Sequence, residues 1–284
     1  MKRDEYLNRL QKAINFIEKN IDEEIKLSDV SKEAFSSLSH FHRIFSFMTG
    51  ISLKEYIRKR KLSIAAEKLL LKKTKIIDIA FEAGYHTPES FQRAFKEMFL
   101  CNPSYFRKNP SRKKLFPVLK IEEIIKKQKN KTIEIPKLSY VLLNSSKIYG
   151  LELKTSLKNN KLKKDIPNFY KKCLKNNNFN IMIPYIKSNY LYGLYKDMTD
   201  EEDFIYLLGY ECSEFLNLDY KIQILPKGKY ACFEVIGGTK KLANAWKYIY
   251  GIWFIESEQE RDKGFDFEIY SENKTEIFIP LKNI

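Results

Sequence analysis

Two arginines stand fifty residues apart in the same setting: Phe41, Arg43, Phe45 and Met48 recur as Phe91, Arg93, Phe95 and Met98. In each copy the apolar residues fall at helical spacing and leave the arginine on the opposite face. An outward guanidinium on such a helix is suited to hydrogen bonding along a DNA base edge. Toward the other end of the chain, FDFEIY alternates Phe265, Phe267 and Ile269 with Asp266, Glu268 and Tyr270. One face of this strand is core. The other sets the Glu268 carboxylate beside a phenol, and the same parity adds Tyr206, Tyr210 and Phe278 to a groove. A half-buried carboxylate between aromatic walls attracts a cation through its charge and the ring faces together.

The elements that must position the arginines come in two rounds. Tyr6, Leu10, Ile14, Ile17 and Ile21 form one apolar stripe and predict a first helix. LSDVSKEAF (27–35) predicts a short second helix with Ser28 as its N-cap. A turn at Phe35-Ser36-Ser37 leads into the helix of Phe41, Ile44, Phe45 and Met48. After Gly50, Ser52 and Glu55 form an S-x-x-E capping box that opens a long helix running to about Leu71. That helix spans roughly 28 Å and is expected to bury Tyr56, Ile57, Leu62, Ala65, Ala66, Leu69 and Leu70. The pattern then restarts with IIDIAFEAG (76–84), whose Gly84 suits a tight turn, and Thr87-Pro88 reads as an N-cap followed by an N1 proline. Two helix-turn-helix motifs joined by one rigid helix can place both second helices in successive major grooves on one face of DNA.

Beyond residue 108 the period changes. Residues 109–130 read as a part-helical linker with prolines and basic residues. From 131 to 284, short runs rich in β-branched and aromatic residues alternate with two helices, in the order ββ-helix-ββ and again ββ-helix-ββ. The expected architecture is an all-α tandem helix-turn-helix domain over 1–108, and over 131–284 an α+β domain whose helices cover one face of an antiparallel sheet.

Charge separates the two parts. The 284 residues carry a net charge of +15; residues 1–130 hold 28 Lys and Arg against 16 Asp and Glu, and residues 131–284 hold 23 against 20. The first part is therefore the one suited to a polyanion. Lys59, Arg60, Lys72, Lys73 and Lys75 face phosphates or solvent, and spacing does not separate these. Cys101, Cys173, Cys212 and Cys232 show no C-x-x-C spacing, and His40, His42 and His86 lack zinc-like partners. No disulfide framework, metal or other cofactor is expected. No apolar run approaches the ~20 residues of a membrane span, and MKRDEYLNRL has no apolar signal region, so a cytoplasmic protein is expected.

GYHTPESFQRAFKEMFLCNPSYFRK closely resembles the signature segment of AraC/XylS transcription regulators, and the resemblance covers about residues 5–108. It implies that the first recognition helix presents Ser39, His42 and Arg43, and the second Pro88, Glu89, Gln92 and Arg93. Arginine suits guanine O6 and N7, glutamine adenine, and glutamate the cytosine amino group. The sequence departs from the family in Phe35 and Leu100, where glycine is usual, and in Phe106, where tyrosine is usual. DYKIQILPKGKYACFEVIGGTKKLANAWKYIYGIWF, followed by FDFEIYSENKTEIFIPLK, resembles a GyrI-like effector-binding domain over about 131–284. That resemblance implies two pseudo-repeats forming a curved sheet whose groove takes a small lipophilic or cationic ligand, the Rob-type layout. The function implied is a DNA-binding transcription regulator modulated by a small molecule, and not an enzyme. In a rival reading a groove carboxylate activates water as in a hydrolase. Yet no histidine lies beyond His86 and no serine sits in a nucleophile motif. In a third reading the C-terminal part binds a protein such as RNA polymerase or gyrase.

Overall fold

The computed structural model describes residues 3–71, 74–111, 115–129, 134–158, 161–214, 217, 219–237, 239–257 and 259–282. Lys72 and Lys73 lie outside the described residues. Two compact units are formed, Leu7–Lys127 and Gln128–Ile284 with Met1–Tyr6. Among the described residues no helix is long and apolar enough to cross a membrane.

The helical unit runs α1 (Arg3–Lys19), α2 (Leu27–Glu33), α3 (Leu38–Thr49), α4 (Leu53–Leu70), α5 (Ile76–Glu82), α6 (Pro88–Phe99), α7 (Pro103–Lys108) and α8 (Ile121–Lys129). Its helix starts follow local chemistry. Ser37 Oγ accepts from the His40 amide at 3.4 Å, Ser52 Oγ from Glu55 at 3.2 Å and Thr87 Oγ1 from Ser90 at 3.2 Å, with Pro88 in the first turn of α6. The Glu55 carboxylate turns to Arg58 and Lys59, so only half of the expected capping box forms. Ser28 is not a cap. The N-cap position lies two residues earlier, on Lys26, which is extended.

The two rounds also end alike. Gly50 (φ 79°) donates its amide to Ser46 O, and Leu100 (φ 60°) donates to Lys96 O, each closing its helix in left-handed backbone. Phe35 (φ 52°) and Gly84 (φ 82°) hold the two inner turns in the same region. A side chain in this conformation costs roughly 1–2 kcal/mol, and Leu100 is 78 % exposed, so it returns little by packing. Leu100→Gly is therefore expected to raise unfolding stability by about 0.5–1 kcal/mol after the added freedom of the unfolded glycine is counted. An unchanged or lowered urea midpoint would show that this turn carries no strain.

Phe41, Phe45 and Tyr56 form the aromatic core of the first round, and Phe91, Phe95, Phe99 and Phe106 that of the second, with Phe95 and Phe99 4.4 Å apart. On α4, Tyr56, Leu62, Ala65, Ala66 and Leu69 are buried as expected, while Ile57 and Leu70 are only partly so. Tyr56 needs its hydroxyl, which donates to Glu18 Oε1 at 2.7 Å. Its counterpart Phe106 sits inside an apolar cluster. The stretch read as a linker is held against this unit. The Phe116 amide donates to Ser63 Oγ at 2.8 Å, Arg60 Nη1 donates to Phe116 O at 2.6 Å, and the Ile121 amide donates to Gln11 Oε1 at 3.0 Å. Ile121 and Ile125 are buried behind it.

The second unit runs β1 (Lys137–Leu143), β2 (Ser146–Ser156), α9 (Leu162–Lys175), β3 (Ile186–Lys196), β4 (Asp203–Cys212), β5 (Lys221–Leu225), β6 (Gly228–Val235), α10 (Thr239–Tyr248), a π-helical turn (Ile249–Trp253), α11 (Phe254–Glu256), β7 (Phe267–Tyr270) and β8 (Thr275–Leu281). The strands make one curled antiparallel half-barrel in the order β1-β6-β8-β7-β3-β4-β2-β5. Interchanging the repeats β1–β4 and β5–β8 leaves this order the same, read from the other edge. The first strand of each repeat has crossed over: β1 pairs with β6, and β5 with β2. Gly150 lies opposite Gly209, and a Cβ on Gly209 would stand 2.0 Å from Tyr149 O, so only glycine lets β2 and β4 approach here.

Candidate functional site

In the helical unit, α6 turns Phe91, Phe95 and Phe99 inward and exposes Glu89, Gln92, Arg93 and Lys96, with Pro88 partly buried at its start. Arg58 of α4 bonds Glu55 Oε2 at 2.9 Å and Glu97 Oε2, on the same helix as Arg93, at 3.0 Å. Among the described residues Arg93 has no ion pair, and its side chain is exposed. α3 differs. Ser39 is partly exposed, but Arg43 is 9 % and His42 1 % exposed, with His42 Nδ1 3.1 Å from Ser46 Oγ. Phe41 to Phe45 are all buried, so α3 is covered over more of its circumference than an amphipathic stripe requires. His42 and Arg43 are thus not presented outward as the sequence predicts.

In the second unit, strand alternation along β7 places Glu268 and Tyr270 on the face that carries Tyr206, Leu208 and Tyr149. Glu268 is 1 % exposed rather than half-buried. Trp246 of α10 donates its indole N–H to Glu268 Oε1 at 2.6 Å, Tyr270 donates to Oε2, and the Tyr195 hydroxyl lies 3.4 Å from Oε1. Tyr206 Oη stands 2.9 Å from Tyr270 Oη and extends the chain of hydroxyls. Burial first, and the Glu268 charge after it, holds the phenols of Tyr206 and Tyr270 well above their usual pKa, so both remain protonated donors. Tyr195 meets Trp246 edge-on at 6.2 Å, and Tyr170 of α9 meets Tyr270 edge-on at 5.5 Å. Gly193 lies opposite Glu268 on β3, and a Cβ there would stand 2.3 Å from Tyr206 Oη. The glycine makes room for the two phenols.

A second carboxylate on the same side is held differently. Asp266 accepts from Tyr250 and from Arg261, whose Nη2 lies 2.9 Å away, with side chains 3 % and 12 % exposed. Asp266 thus joins a guanidinium in a structural pair, whereas Trp246 and Tyr270 hold Glu268 with indole and phenol groups.

The structure brings together Glu268, Tyr270 and Tyr206, and separates the other two predicted residues. Tyr210 shares the face but lies four residues along β4, against Phe179 at 5.4 Å. Phe278 is on the opposite face, stacked on Phe267 at 4.8 Å. The reason is register: Phe267 pairs with Phe278 and Glu268 with Ile277, so even-numbered residues of β7 share a face with odd-numbered residues of β8. Trp246, Tyr195 and Gly193 complete the site and were not predicted. The stacked spacing of Trp246 and Tyr250, one turn apart on an inward helix face, was the signal available for the first.

Tandem helix-turn-helix motifs on one long helix, followed by a duplicated antiparallel sheet, are the layout of two-part transcription regulators. Residues 137–282 match the family model of the GyrI-like small molecule binding domain, and residues 30–109 that of a helix-turn-helix domain. The chain belongs to the GyrI-like family and carries an AraC-type helix-turn-helix domain. The Transposon Tn10 TetD protein of Escherichia coli is 38 % identical over 100 residues, which make up 35 % of this chain and 72 % of that protein. The uncharacterized HTH-type transcriptional regulator YbfP of Bacillus subtilis is 40 % identical over 102 residues, 36 % of this chain and about a third (35 %) of that relative's length. Among solved structures, that of SAV2435 bound to tetraphenylphosphonium aligns with 52 % of this chain and 94 % of that chain, at 16 % identity and a TM-score of 0.45.

Proposed function

We propose that the chain binds duplex DNA through its tandem motifs and adjusts that binding to a small lipophilic cation held at Glu268. The exposed row Glu89, Gln92 and Arg93 on α6, above a wholly apolar inner face, carries the first half of this reading. The helix is anchored on one side and chemically equipped on the other. Base contact by His42 or Arg43 requires these side chains to leave the buried positions they occupy. A carboxylate ringed by aromatic side chains supports the second half. A cation is drawn there by charge and by ring faces together, and with Glu268 1 % exposed it must displace a ring to enter. The same site is read as binding and not as catalytic, because the groups around Glu268 are hydrogen-bond donors that hold it in place.

Arg93→Ala is expected to cost ~1–3 kcal/mol on the selected DNA site and to relax preference at one base pair. Competition binding against single-base variants of that site measures both effects. Equal loss on random duplex would make Arg93 a phosphate anchor and overturn its role as a reader.

A further inference from the structure

The second unit carries one face whose charge neither its fold nor its ligand site uses. Between residues 158 and 175 stand seven lysines and a single acidic residue, Asp165. α9 turns Leu162, Ile166, Phe169, Tyr170 and Cys173 onto the sheet. Its opposite face follows the i, i+4, i+7, i+11 rule as Lys164, Asn168, Lys171 and Lys175, all exposed, with Lys172 beside them. Lys158 and Lys161 are paired with Glu201 and Asp165. Among the described residues no ion pair involves Lys163, Lys164, Lys171, Lys172 or Lys175. Elsewhere in the unit Lys187, Lys196, Lys241, Lys274 and Lys282 each meet a carboxylate, and the described lysines without an ion pair, such as Lys147, Lys154, Lys221, Lys247 and Lys263, do not share one helix face as those of α9 do. A stripe required by the fold would recur in the duplicated copy. Yet α10 pairs its Lys241 and turns Trp246 inward to Glu268.

We infer that the outer face of α9 is a second, sequence-independent DNA contact that grips the phosphate backbone beside the site read by α6. The inference rests on the DNA-binding reading proposed above. Lysine without arginine or outward aromatic residues suits phosphate as a point charge and carries no base-edge recognition. A duplex offers a phosphate every ~1.7 Å of axis, so a stripe spanning roughly 16 Å finds partners in many orientations. Being on the same chain as the reader, α9 meets flanking DNA at an effective concentration in the millimolar range, where weak contacts count. A lipid surface is disfavoured because the apolar face of α9 is already spent on the sheet.

The test uses the full chain and a duplex that it selects from a randomised pool. The duplex is presented either trimmed to about two turns or with two further turns on each side. The triple variant Lys164→Gln, Lys171→Gln and Lys175→Gln is compared with the parent, and Lys221→Gln with Lys227→Gln serves as control. On the long duplex the triple variant should lose at least tenfold in affinity at low salt. Its slope of log K against log salt should be shallower by about 2–3, near 0.9 per phosphate lost. On the trimmed duplex it should match the parent, and the control should match the parent on both. Equal slopes on the long duplex would overturn the inference while leaving the reader intact. A parent chain that binds neither duplex would sink both. If the slopes are equal and the triple variant alone stops sedimenting with phosphatidylserine vesicles, the face belongs to a membrane surface and the inference is wrong.

Discussion

Glu268→Gln is expected to weaken binding of a lipophilic cation, with tetraphenylphosphonium as probe, by roughly 1.5–3 kcal/mol, the attraction between unit charges about 6–11 Å apart at an effective dielectric constant near 20. That is about tenfold to more than a hundredfold. The substitution keeps the volume and removes the charge, so tetraphenylsilane, neutral and with the same four phenyl groups, should bind the variant nearly as well as the parent. Titration calorimetry with both probes measures the difference. The indole that bonds Glu268 offers a second readout, because ligand entry must move rings packed around the carboxylate, and Trp246 is one of only two tryptophans. DNA binding should not change in the absence of ligand. An equal loss for the charged and neutral probes would show that Glu268 supports the fold and does not select charge.

Arg60→Ala should have the larger effect on stability. Arg60 bonds both oxygens of Glu18 at 2.9–3.1 Å and the carbonyl of Phe116 at 2.6 Å, and the two charged side chains are only 13 % and 18 % exposed. Its removal leaves Glu18 with the Tyr56 hydroxyl as its remaining bonded partner here and strips a donor from the Phe116 carbonyl. Breaking such a pair on one side costs about 3 kcal/mol. Urea denaturation of the full chain, followed by the helical signal, measures this. Hydrogen exchange should quicken at Phe116 and Ile121, whose amides are held by Ser63 and Gln11. Arg60→Lys should recover only part, because an ammonium does not fork onto a carboxylate. A loss below about 1 kcal/mol would place the pair with exposed ion pairs of little net worth.

The helical unit was legible in the sequence where its determinants are local. Thr87 and Pro88 announce the start of α6, and the spacing of Phe91, Phe95 and Phe99 announces its inner face. Leu100 and Phe35 were marked by position, as residues where the family has glycine, and both adopt the backbone a glycine would. Their residue types alone give no such sign. Ser28 misled because a good capping residue inside the first turn looks the same in sequence as one at its head. The strand unit was legible as a pattern and less so as a site. Alternation correctly separated Glu268 from Phe267, but it is a statement about one strand. The phase between β7 and β8 depends on the turn joining them, and a single residue of register moves Phe278 to the far face. Trp246 reaches Glu268 from a helix twenty-two residues upstream, a contact that only the tertiary fold creates. Burial of Arg43 is likewise absent from the periodicity, which sets it opposite Phe41 and Phe45, and burial of His42 is absent from the family resemblance that presents it outward.

The crossed-over first strands also set a timetable for synthesis. β1 is translated on the order of ninety residues before β6, the strand it pairs with. At 5–20 residues per second, β1 waits roughly 5–20 s with no partner available, with Leu142 on an edge that remains 82 % exposed for this residue even when folded. The centre of the sheet, where β3 meets β7, closes as late. By contrast every contact that holds α4, α6, α7 and Phe116 together is complete once residue 127 has emerged. Sheets built from such distant pairings fold slowly. A newly made chain therefore completes its helical unit well before the sheet that buries Glu268 can close, so its first half stands folded while the second is still being made.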